Sequence, residues 1–276
     1  MRFADAHIHL FREGYRRPGL PSLFGDHELQ AYEALRLTHG VDLALAIGYE
    51  AEGIDPDNNA YLRQLTQSRS WLRTLAFVKT TPPPESGTIE ALIEAGHAGL
   101  AIYALDRPAA ESVLHWPRLC WRLLQSSKAF VSFNSRPEAI SVLGPLTAEW
   151  TNVQFLFSHL GLPGVLGPDT PPEALRDRLK PLLSLARLPN VHVKISGAYA
   201  TSVPHHAFPR RGANDAIGRI LEAFGPARCL CASDFAPALE FVSFPQTMEW
   251  QGSNALSETE QRMVFRDNLV RLLARP

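Results

Sequence analysis

The chain has 276 residues, of which 45% are hydrophobic and 20% charged, proportions that let a soluble globular protein bury a large core. Its 27 Lys and Arg nearly balance 28 Asp and Glu, leaving a formal charge of −1. Nucleic acid and anionic membranes both demand a basic face, so neither is expected as a main partner. Three cysteines, Cys120, Cys229 and Cys231, make no C-x-x-C pattern and read as buried free thiols in a reducing compartment. The opening Met-Arg-Phe-Ala-Asp-Ala-His carries no apolar leader, and no apolar run reaches the roughly 20 residues that cross a bilayer. A cytoplasmic protein is expected.

Along the chain, short β-branched or aromatic runs alternate eight times with longer amphipathic segments. Strands are predicted near 2–9, 42–49, 72–79, 98–104, 129–134, 153–159, 191–197 and 228–234. Helices are predicted near 27–39, 56–69, 87–96, 108–126, 136–149, 171–187, 212–224 and 257–273. Val153-Gln-Phe-Leu-Phe157 and Val41 to Ile47 are nearly continuous apolar runs, as parallel strands covered on both faces require. Ser257 and Glu260 form a capping box ahead of Met263, Val264, Leu269, Leu272 and Leu273 at helical spacing. Eight β-then-α units with no Pro/Ser-rich linker predict one α/β domain over 1–276, a single (β/α)8 TIM barrel. An open doubly wound sheet would need a Gly-rich turn after the first strand, and His7-Ile-His9-Leu-Phe-Arg has none.

A barrel gives function an address, the C-terminal ends of its strands. His7 and His9 fall at the end of strand 1, His159 at the end of strand 6 and Asp234 at the end of strand 8. Histidines at i and i+2 of a strand point the same way, a geometry suited to holding a divalent metal from the lumen side. Asp234 follows a mostly apolar run, where a carboxylate is costly unless paired or bound to a cation. It reads as an N-cap or salt-bridged turn residue, or as a base that takes a proton from attacking water, with or without touching a metal. His159, ahead of a Gly/Pro turn, reads as a buried structural histidine or a site residue.

The Asp-Ala-His-Ile-His start, Ser-His-Leu-Gly-Leu-Pro at 158–163, Val-Lys-Ile-Ser-Gly at 193–197 and Ser-Asp-Phe-Ala-Pro at 233–237 resemble the amidohydrolase-related (amidohydrolase 2) family. The Phe265-Arg-Asp-Asn268-Leu helix is in character. Within that family the chain is most similar to the lactonase-like group, which includes 2-pyrone-4,6-dicarboxylate hydrolase. The resemblance spans essentially the whole chain. It implies His7 and His9 as metal or substrate ligands, His159 as a carbonyl-polarising or ligand histidine, and Asp234 as the proton-transfer residue and a candidate ligand.

Strand 5 carries no histidine and strand 4 ends Ala101-Ile-Tyr103, so the second metal of binuclear superfamily members is not expected. One divalent ion, zinc on nitrogen-rich ligands, and a metal-free site both remain open. Tyr103 stands where related dicarboxylate hydrolases carry an arginine.

Arg12, Arg16 and Arg17 follow strand 1, and His205, His206, Arg210 and Arg211 follow strand 7, which suggests a positive rim for a small anionic substrate. Lys194 alternates with His192 and Ser196 against Val191, Val193 and Ile195, so it should enter the lumen and find a carboxylate such as Asp5 or Asp234. Tyr103, Asn134, Lys194 and Arg211 are the substrate-contact candidates. The leading expectation is a hydrolase that opens a lactone of a small organic or sugar acid. A metal-dependent decarboxylase and a non-catalytic acid-binding barrel are the alternatives. Oligomeric state is not encoded in any pattern found.

Overall fold

The computed structural model describes residues 2–17, 19–51, 54–167 and 169–274. Its strands are β1 (Phe3–Ile8), β2 (Val41–Ile47), β3 (Leu72–Phe77), β4 (Gly99–Ile102), β5 (Phe130–Phe133), β6 (Gln154–Phe157), β7 (Val191–Ile195) and β8 (Cys229–Cys231). They form one parallel sheet in the order β1-β2-β3-β4-β5-β6-β7-β8. The helices between them are α1 (Glu28–Thr38), α2 (Asn58–Thr66), α3 (Ser86–Glu94), α4 (Arg107–Leu114), α5 (Arg118–Ser126), α6 (Pro137–Glu149), α7 (Pro172–Leu183) and α8 (Arg211–Phe224). After β8 come α9 (Phe244–Met248), α10 (Glu258–Arg262) and α11 (Asn268–Leu273). This is a (β/α)8 barrel. Strand order running in sequence around the ring excludes the doubly wound alternative, whose strand order reverses.

Alternation along the strands sorts side chains into two clusters. Leu100, Ile102, Phe155, Phe157, Val191, Val193, Cys229 and Cys231 pack outward with the helices. Ala101, Leu156, Leu230 and Ala232 face inward, together with Ala4, Ala6, Leu45 and Leu75. The β1–β2 register shifts between Asp5 and Ile8. Irregularities of this kind re-aim side chains; here Ala6 stays in the inner cluster while Ile8 joins the outer one. His7 and His9, which flank Ile8, can then both face the lumen.

The ring closes between its ends. Asp234 N–H donates to His7 O at 2.9 Å, His9 N–H donates to Phe235 O at 2.5 Å, and Ile8 bridges Phe235. Buried Asp5 accepts from both the N–H and the hydroxyl of Ser233, at 2.9 and 2.5 Å.

Two helical features depart from the sequence pattern. The helix expected over 108–126 is two, because Pro117 offers no N–H and disfavours the helical region for the residue before it; its own backbone is non-helical, at ψ 132°. The five-residue α9 was not expected; it is too short to show periodicity, though Ser243 and Gln246 cap it. The Ser257–Glu260 capping box starts α10 as read from the sequence, and a π turn over Met263–Asp267 joins α10 to α11. Among the described residues, no helix is long and apolar enough to cross a membrane.

Fully buried Asn268 donates to Pro226 O at 2.7 Å and Cys229 O at 2.9 Å, tying the last helix to the start of β8. Asn268→Ala leaves both carbonyls without that donor and should cost about 1–3 kcal/mol in urea unfolding; a change under about 0.5 kcal/mol would assign the tie no role.

Candidate active site

His7 is the last residue but one of β1 and His9 lies one past its end; His159 and Asp234 lie two and three residues past β6 and β8. The barrel brings all four to one mouth. His7 Nε2 and His9 Nε2 are 3.1 Å apart, and Asp234 Oδ1 lies 3.7 and 3.8 Å from them. His159 Nδ1 is 3.8 Å from Asp234 Oδ2, and its ring centroid stands 4.5 Å from that of His7. His159 and Asp234 both adopt left-handed backbone, with φ of 53° and 60°. Non-glycine residues held there cost of order 1–3 kcal/mol each and cluster at functional sites.

Hydrogen bonds fix the imidazole faces. His9 Nδ1 is 2.9 Å from Ile47 O, a pure acceptor, so Nδ1 carries the proton and Nε2 presents a lone pair. Ser196 Oγ accepts from His159 N–H at 3.3 Å and lies 2.9 Å from His159 Nδ1. Burial is the main reason that all three rings stay neutral: His7 is held well below 6.5, His9 at about 4 and His159 at about 3. Burial also lifts Asp234 to about 6, against the opposing pull of His9 and of the Tyr199 hydroxyl, which donates to Oδ2 at 2.8 Å.

Among the described residues, His7, His9 and Asp234 are the one group of three such side chains close enough to share an ion, with donor atoms all within 4.8 Å of one another. Two Zn–N bonds of about 2.1 Å at a tetrahedral angle span roughly 3.4 Å. The two nitrogens and one carboxylate oxygen therefore fit a divalent cation of the zinc type.

Above this group opens a cavity of about 450 Å³ with His9, His159 and Asp234 at its base. Phe11, Tyr15, Tyr49 and Tyr103 give it aromatic walls; Arg16 and Asn134 also line it. Asn134 Oδ1 is buried without a hydrogen-bond partner among the described residues, which leaves it available to a ligand; the Tyr103 hydroxyl lies beside the Asn134 side chain.

The other expected contacts fall elsewhere. Lys194 is wholly buried beneath the mouth, with burial lowering it to about 7. Its hydrogen-bond partners are Ser132 Oγ at 2.8 Å and His7 Nδ1 at 3.3 Å, while the expected carboxylates Asp234 and Asp5 act on it by charge without a hydrogen bond. Asp5 is taken up by Ser233 and Tyr32 instead. Arg211 opens α8 and lines a separate cavity with Arg210. The positive rim is correspondingly thin: Arg17 pairs with Glu240 at 2.5 Å and Arg12 stacks over Tyr61.

A model of the amidohydrolase family matches residues 4–275. The chain belongs to the amidohydrolase family. Among solved structures, this amidohydrolase is similar to a Burkholderia multivorans amidohydrolase with bound zinc, at 19% identity over 100% of both chains and a TM-score of 0.80. It is also similar to a probable 2-pyrone-4,6-dicarboxylic acid hydrolase of Acinetobacter baumannii with bound citric acid, at 18% identity over 100% of both chains and a TM-score of 0.76. The 5-carboxyvanillate decarboxylase of Sphingomonas paucimobilis aligns at 14% identity over 98% of both chains, with a TM-score of 0.61. No curated protein matches the chain.

Tyr199, which holds Asp234, and Tyr15 and Tyr49 in the cavity wall escaped the sequence reading. The available signal was their position just past strand ends on the catalytic face.

Glu28 of α1 anchors the wall that follows β1, accepting from Phe11 N–H at 2.8 Å and Tyr15 N–H at 2.5 Å. Burial lifts its carboxyl from 4.5 to about 7. Between those values the folded chain keeps a proton that the unfolded chain has lost, so this group weakens the fold as pH rises from 4.5 to 7, and fully so above. Glu28→Gln should remove that slope. The melting temperature of wild type relative to the variant should fall between about pH 5 and 7 and then level off; a pH-independent difference would rule out titration of Glu28 in that window.

Proposed function

We propose that this amidohydrolase opens a lactone of a small organic or sugar acid by attack of water. The observation that carries the reading is the meeting of His9, His159 and Asp234 at the base of one cavity, with His7 buried against them. The pyrone-dicarboxylate label and bound citric acid of the Acinetobacter relative favour a carboxylate-bearing cyclic ester. The zinc of the Burkholderia relative favours a metal site.

Asp234 divides its two oxygens. Oδ1 faces the strand-1 histidines, and Oδ2 is held by Tyr199 beside His159. In its ionised form the carboxylate takes the proton of an attacking water and then delivers it to the leaving alkoxide. Neutral His159 lies beside the reacting group and stabilises the carbonyl oxygen by hydrogen bonding as negative charge develops there. A divalent ion on His7, His9 and Asp234 would supply Lewis-acid polarisation of that carbonyl. Arg16 and the Tyr103 hydroxyl receive the acid group, Asn134 Oδ1 accepts from a hydroxyl of the substrate, and the aromatic walls exclude bulk water. The product is an open-chain hydroxy acid.

A panel of lactones, followed by acid release with and without a chelator, tests this. At least one lactone should turn over, and Asp234→Asn should lose about 10²–10⁴-fold in kcat while retaining its melting temperature. Unchanged turnover in the variant would remove Asp234 as the proton acceptor. Release of carbon dioxide from an aromatic or unsaturated acid, with every lactone inert, would replace the reading by decarboxylation; ligand binding with no turnover at all would make the barrel a binding protein.

A further inference from the structure

A second cavity, of about 270 Å³, lies at the N-terminus of α8 and shares no lining residue with the first. Leu166, Ser202, Arg210, Arg211 and Gly212 border it, and among the described residues no acidic one does. Arg210 is 4% exposed and gives one hydrogen bond, from Nη1 to Gln246 O at 3.1 Å. Its Nε and Nη2 find no hydrogen-bond partner among the described residues, while its guanidinium lies 5.4 Å over the Phe208 ring. These two atoms form one edge of the guanidinium, the edge that grips both oxygens of a carboxylate or phosphate. Burial without a facing carboxylate lowers Arg210 from its usual value, yet a guanidinium stays charged throughout the ordinary pH range. A buried cation with an empty bidentate edge is expensive unless an anion meets it.

Two further features point to the same space. Ser202 is 3% exposed and its hydroxyl also lacks a partner among the described residues. Helix α8, 14 residues long, begins with no side-chain cap and no acid in its first turn. The first N–H groups of a helix have no acceptor within it and carry the positive end of its dipole. Gly212 stands in that turn where a Cβ would come within 2.8 Å of Leu166, so the turn packs closely against the loop that forms the opposite wall.

We propose that this cavity binds a small oxyanion, a phosphate or carboxylate group, held by the Nε–Nη2 edge of Arg210, the Ser202 hydroxyl and the first turn of α8. Arg211, at the cavity's border, adds charge attraction without being needed for the bidentate grip. The site stands apart from the lactone reading and does not depend on it.

Calorimetric titration of the full chain with inorganic phosphate, and separately with acetate, at ionic strength held constant with sodium chloride, tests the proposal. At least one of the two should give single-site saturable binding and raise the melting temperature. Which one does so identifies the oxyanion. Arg210→Met, which keeps the apolar stem, and Ser202→Ala should each weaken that binding by about tenfold or more, while His9→Ala in the other cavity should leave it unchanged. If Arg210→Met fails to fold, Ser202→Ala and Arg211→Ala carry the comparison. The absence of saturable binding by either anion would overturn the proposal. So would affinity unchanged in Arg210→Met and Ser202→Ala, or binding lost in His9→Ala.

Discussion

One buried carboxylate holds the two ends of the barrel together. Asp5 accepts from Ser233 N–H and Oγ, from the Tyr32 hydroxyl of α1 at 3.2 Å, and from His7 N–H at 3.3 Å. Burial alone drives its carboxyl upward to about 6, and these donors oppose that shift. A carboxylate in such a place is tolerable only when its lone pairs are filled. Besides Tyr32, the donors that fill them are the residue that begins the histidine pair and the residue that precedes Asp234. The constraint that satisfies Asp5 thereby sets the separation between the two halves of the active site.

The eight strand-helix units were legible because inner and outer faces of a parallel barrel are both apolar, which leaves dense runs such as Phe155 to Phe157. The polar exceptions stood out against those runs. His7, His9, His159 and Asp234 could be found for that reason, since each interrupts or terminates an apolar stretch where a barrel exposes its mouth. What failed depended on direction rather than position. Lys194 enters the interior as its alternation implies, yet its partners Ser132 and His7 lie on other strands. Arg211 follows the right strand, but the loop after β7 carries it to α8 and away from the mouth. Tyr199 sits in that same irregular loop, where neither a period of 2 nor one of 3.6 marks a residue.

Charge at the site is set by burial more than by neighbours. All three imidazoles lose their proton preference because the interior disfavours the charged form, and the first-ranking cause on Asp234 has the same origin. A mouth opened to water would restore ordinary histidines and an ordinary aspartate. The aromatic walls formed by Phe11, Tyr15, Tyr49 and Tyr103 therefore shape reactivity as well as fit. Glu28, by fastening Phe11 and Tyr15, acts on the same property from outside the cavity.

The closing bond between Ser233 and Asp5 spans 228 positions of sequence. During synthesis the histidine pair leaves the ribosome long before its aspartate exists, and the first strand must wait with one edge unpaired until the last arrives. Contacts this distant are the slow ones in folding. A half-made chain holds two imidazoles without their carboxylate and an Asp5 without Ser233. The candidate site is thus assembled late and all at once, when the eighth strand docks against the first.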